Sequence, residues 1–105
     1  MARSYVADIA GGTATVTIQI QGRQTFKNWS VSWLNAAAGK IELSTSPTSQ
    51  IGTAQPTPDV IARVSASAGA NSATMQMPIN LPTVAFQNVY VHCTGAGNLG
   101  TSVLS

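Results

Sequence analysis

His92 and Cys93 are the one histidine and the one cysteine of the chain. A thiol beside an imidazole is the raw material of a nucleophile and its base. The two sit next to each other in Val89-Tyr-Val-His-Cys93, a run that alternates in polarity. Alternation of that kind reads as a strand, and successive side chains of a strand leave on opposite faces. The pair therefore cannot meet within one chain. Cys93 shares a parity with Val89 and Val91 and reads as a small core residue. His92 shares the other face with Tyr90 and is expected in solvent or against a partner.

The remaining candidates are few. Asp8, Glu42 and Asp59 are the only acids, and they are far apart along the chain. Glycoside hydrolysis needs two carboxylates at a set separation. A metal site needs three or four ligands from His, Cys, Asp or Glu. A serine nucleophile needs a base, and only His92 could serve. Gly95-Ala-Gly97-Asn-Leu-Gly100 fits the dinucleotide pattern G-x-G-x-x-G, whose chemistry depends on a helix N-terminus immediately after it. Five residues follow Gly100, and they read as a strand, so this segment is expected to be a hairpin turn. No catalytic residue, metal ligand or cofactor site emerges, and a non-enzymatic role is expected. Asn28-Trp-Ser30 fits a glycosylation acceptor but falls inside a strand-like run and reads as chance.

Strands must position these groups. Thr13 to Gln21 alternates strictly, with Ala14, Val16, Ile18 and Ile20 on one face. In Gln24 to Leu34, Trp29, Val31 and Trp33 share a face, and Phe26 joins them only through a bulge near Lys27-Asn28. Asn35 to Gly39 reads as a turn or a very short helix. Ile41 and Leu43 point inward from a short strand. Ser44 to Pro58, with three prolines, is a long loop, and loops of this length are usually functional or mobile. Val60 to Ala66 and Ala73 to Leu81 alternate again. Pro78 lacks an amide donor, which puts its strand at an edge or a bulge, and Pro82 marks the end. About eight strand-like runs at this spacing predict an all-β fold, an antiparallel β-sandwich, with a jelly-roll-like arrangement as one topology in that class. Residues 1–12 read as an extended N-terminal arm hinged at Gly11-Gly12, and residues 13–105 as a single β-sandwich domain.

Of 105 residues, 44% are hydrophobic and only 8% charged, against about 25% charged in an average soluble protein. Ser, Thr, Gln, Asn, Ala and Gly take the place of charge. Such a surface costs little to desolvate and suits permanent contact. Arg3, Arg23, Lys27, Lys40 and Arg63 are scattered, so no phosphate-tracking stripe forms and nucleic-acid binding is not expected. No apolar stretch is long enough to cross a bilayer, so no membrane role is expected. Met1-Ala-Arg-Ser-Tyr lacks the basic head and apolar run of a secretory signal, which predicts synthesis in the cytosol.

Two functional readings follow. The C-terminal run FQNVYVHCTGAGNLGTSVLS is a strand, a Gly/Asn turn and a last strand. With the Ser/Thr/Ala/Gln-rich remainder it resembles small all-β virion proteins of bacteriophages, of the head decoration (cement) or minor capsid type. That resemblance implies a homo-oligomer, a trimer above all, bound to a major capsid or other virion protein. It also implies a virion location after synthesis in the host cytoplasm. Tyr5, Val6 and Ile9 of the arm, with Tyr90 and His92, are the expected interface residues. The alternative is a carbohydrate- or receptor-binding module of a phage tail, spike or adhesin, with Trp29 and Trp33 as stacking platforms. Their shared parity with Val31 favours the core for both tryptophans.

Overall fold

Alternation of β-branched and small polar residues commits nearly every segment to an extended backbone with one apolar face. The structure, a computed structural model, describes residues 3–9, 15–33, 39–66, 75–94 and 100–105. Eight strands run through them: β1 (Tyr5–Ile9), β2 (Thr15–Ile20), β3 (Gln24–Trp33), β4 (Gly39–Ser44), β5 (Val60–Ala66), β6 (Met75–Thr83), β7 (Gln87–Cys93) and β8 (Gly100–Leu104). They form two four-stranded sheets, in the orders β1-β8-β3-β6 and β2-β7-β4-β5. Every neighbouring pair is antiparallel. The pairings nest, with β1 on β8, β2 on β7, β3 on β6 and β4 on β5. A long hairpin rolled up on itself has this order, and it is that of a jelly roll.

The two apolar faces meet in one core. Ile18, Ile20, Ile41, Leu43, Val89 and Val91 come from one sheet, and Ala7, Ile9, Phe26, Trp29, Val31 and Leu104 from the other. Trp29 is fully buried, and its indole N–H donates to the Ser102 hydroxyl at 2.7 Å, so the one polar atom of the ring is satisfied. Phe26 and Trp29 are three residues apart and both buried, which strict alternation forbids. The β3–β6 register shifts between Phe26 and Asn28, as the sequence requires. The amides of Lys27 and Asn28 both donate to the carbonyl of Ser105, at 2.8 and 2.9 Å. Tyr5 packs its ring edge-on to Phe26, with centroids 5.7 Å apart.

Pro78 sits in β6, which is an edge strand with β3 as its single neighbour in the sheet. A strand with one free side can spare a donor. Pro82 does not end the strand, which continues to Thr83. The Gly95–Gly100 segment does not make a hairpin. Gly95 to Leu99 lie outside the described residues, but the strands they join, β7 and β8, belong to different sheets. Residues Tyr5–Ile9, expected in an extended arm, are extended and form β1, with Ala7 and Ile9 buried. The Gly11-Gly12 hinge and the Asn35 to Ala38 turn lie outside the described residues.

Candidate functional site

One row of side chains crosses the outer face of the β2-β7-β4-β5 sheet. Thr15 stands opposite His92, His92 opposite Glu42, and Glu42 opposite Arg63. Parity sends all four away from the core, yet Glu42 is fully buried and His92 is 1% exposed. The cover is the loop between β4 and β5. Arg63 donates from Nε to Glu42 Oε2 at 3.3 Å, from Nη1 to the Thr53 carbonyl at 2.8 Å, and from Nη2 to the Gln50 carbonyl. The other Glu42 oxygen accepts the Gln50 amide at 3.1 Å. His92 Nε2 meets the Ser46 carbonyl at 2.9 Å, and a carbonyl only accepts, so this nitrogen carries a proton. Its Nδ1 shares a hydrogen bond with the Thr15 hydroxyl at 2.9 Å, and Tyr90 lies stacked beside the ring.

The loop is tied to itself as well. The Gln50 side chain donates to the Thr57 hydroxyl at 2.7 Å and accepts the Thr57 amide at 2.8 Å. Thr45 donates its amide to the Asp59 carbonyl at 3.0 Å. In chemical terms the row is a clamp. Each polar atom that could attack, abstract or ligate is committed to a backbone group or a neighbouring side chain. Among the described residues, no group of three His, Cys, Asp or Glu could hold a metal ion.

The expected site residues divide sharply. Val6 is 64% exposed, and Tyr5 and Tyr90 are half-buried. Ile9 is 2% exposed and is a core residue, because parity along β1 turns it toward the other sheet. His92 is not solvated. The loop closes over it, which alternation alone does not reveal. Trp29 is in the core, as its parity with Val31 requires, and is not a stacking platform; the Trp33 side chain lies outside the described residues. Cys93 is buried in the core, and loss of hydration pushes its thiol above the ordinary range.

Sequence reasoning passed over Phe86 and Val84. Both are strongly exposed apolar residues on the β6–β7 connection. Phe86 is the only described non-glycine residue with a positive φ, 62°. The left-handed region costs an L-residue roughly 1–2 kcal/mol. A readable signal did exist: Thr83-Val-Ala-Phe-Gln87 has no glycine or asparagine to make its turn.

The outer face of the β1-β8-β3-β6 sheet is poor in charge. It presents Val6, Ser30, Gln76, Pro78 and Thr101 beside Asp8, which accepts from the Thr101 hydroxyl. Lys27 likewise donates to the Asn80 side chain at 2.8 Å.

No protein-family model matches the chain, and no curated protein matches it in sequence. Among solved structures, the chain is similar to the coat protein of Tobacco streak virus. The identity is 8% and the TM-score 0.37, over 97% of this chain and 86% of that one.

Proposed function

We propose that the chain is a non-enzymatic structural protein of a virus particle. In finer terms it is a phage capsid decoration, cement or minor capsid protein that oligomerises and stabilises the shell. The observation that carries this reading is where the polar chemistry has gone. Glu42, Arg63 and His92 are spent on clamping a loop, and the exterior is left short of charge. A solitary soluble protein uses surface charge to stay dispersed, whereas a charge-poor face is cheap to bury against a neighbour. The jelly roll supports the reading by analogy, since viral capsid domains commonly adopt it. The partners are further copies of this chain and a virion protein, and multivalent contact multiplies weak junctions on a shell.

Lectins share the same architecture, so a sugar-binding module is the competing reading. It loses one of its two expected stacking platforms with Trp29 in the core. Size-exclusion chromatography with light scattering on the purified chain tests assembly directly. A closed oligomer, a trimer above all, is expected, and a monomer that persists at millimolar concentration would refute the reading.

A further inference from the structure

Phe86 occupies a turn position that glycine holds elsewhere in the same molecule. In the turn from Gln50 to Thr53, closed by Thr53 N–H to Gln50 O at 3.0 Å, the third residue is Gly52 with φ 91°. In the turn from Val84 to Gln87, closed by Gln87 N–H to Val84 O at 3.4 Å, the third residue is Phe86 with φ 62°. That slot favours glycine or asparagine because it needs a positive φ. The turn is braced all the same. Phe86 donates its amide to the Ile20 carbonyl at 2.6 Å, and the Val84 amide reaches Gln87 Oε1 at 3.0 Å. A phenyl ring 68% exposed is thus held on a strained, fixed backbone, with Val84 53% exposed beside it. Neither exposure nor strain helps the isolated fold, and a strained position that persists points to function.

The opposite end of the same sheet holds a hollow of about 260 Å³. Ile51, Ala54 and Val64 give it apolar walls, and Lys40, Thr53, Arg63 and Ser65 line it as well. The bonds from Arg63 to Glu42, Gln50 and Thr53 fix its guanidinium in place. A fixed cation in the wall of a partly apolar hollow matches the negative face of an aromatic ring. Phe86 precedes the first residue of β7, while the hollow lies by Ile41, which pairs with Cys93 at the last. The seven residues of β7, at about 3.3 Å each, keep the ring of one chain away from its own hollow.

We propose that Phe86 of one copy seats in the Ile51/Ala54/Val64 hollow of a second copy, beside Lys40 and Arg63. This rests on the assembly reading above and names its junction. A knob at one end and its socket at the other make a head-to-tail contact, which closes into a ring when the rotation permits. The test uses the full-length chain with Phe86→Asn and Ala54→Glu. Asparagine accepts the left-handed backbone, so Phe86→Asn keeps or raises the thermal midpoint; Ala54 is exposed, so Ala54→Glu fills the socket without touching the core. In light scattering the wild type assembles, and each variant alone associates at least tenfold more weakly. An equimolar mixture of the two forms heterodimers, because one intact knob meets one intact socket. If the wild type assembles and either folded variant assembles equally well, the junction is wrong and the assembly reading stands. A mixture that stays monomeric also overturns the head-to-tail contact. A wild type that never associates overturns both.

Discussion

Cys93 is the residue whose ionisation the fold resists most clearly, because burial raises its thiol above the ordinary range. Below the ordinary thiol value of about 8.5, both folded and unfolded chains keep the proton and stability is unaffected. Above it the unfolded chain releases the proton while the folded chain holds it. Stability is then lost as pH rises, by up to about 1.4 kcal/mol per pH unit until the folded thiol also ionises. Urea unfolding between pH 8 and 10.5 should show a steeper loss for the wild type than for Cys93→Ala. Parallel curves would remove the claim. Arg63 matters for another reason, since Glu42 is fully buried and depends on it for charge compensation. Arg63→Ala should cost about 2–3 kcal/mol, toward the lower end for a broken pair because 33% of the Arg63 side chain meets solvent. It should also expose the Gln50 and Thr57 amides to hydrogen exchange. Unchanged exchange in a destabilised variant would show that the clamp does not hold the loop.

Strands were legible and their covers were not. Period-two patterning in β2, β4, β5 and β7 marks the inward residues, and the spacing of Phe26 and Trp29 requires the irregularity that β3 contains. Parity also assigns Trp29 and Cys93 to the core. It cannot report that a Pro- and Ser-rich loop will fold back over Glu42 and His92, because burial there comes from contacts between residues many positions apart, such as His92 and Ser46. Nor can it tell a hairpin from a crossing between sheets, which misleads at Gly95–Gly100. Pro78 is the clearest single signal at this scale, since a residue without an amide donor fits a regular strand only where one side is unpaired. Edge strands invite unwanted pairing, and proline blunts them. Pro78→Thr combined with Pro82→Thr should therefore shorten the lag of thioflavin-positive fibre growth several-fold at neutral pH. Equal lag times would mean that this edge is guarded by something else.

The molecule as a whole combines a charge-poor exterior with a fold whose pairings reach across the chain. The exterior costs little to desolvate on contact, and the clamp and the braced Phe86 turn hold their own parts of the surface in place. The nested order has a further consequence for how the protein is made. Tyr5 pairs with Leu104 and Val16 with Val91, so β1 has no partner until residue 104 has left the ribosome. Only β4 and β5 are both consecutive and paired. Synthesis therefore delivers one short hairpin first, the β2-β7-β4-β5 sheet can pair once β7 has emerged, and β1 waits for β8. Contacts this distant are slow to form, and the exposed edges of waiting strands can find one another. Until its partner strand emerges, each waiting edge is where copies of this chain are most exposed to tangling.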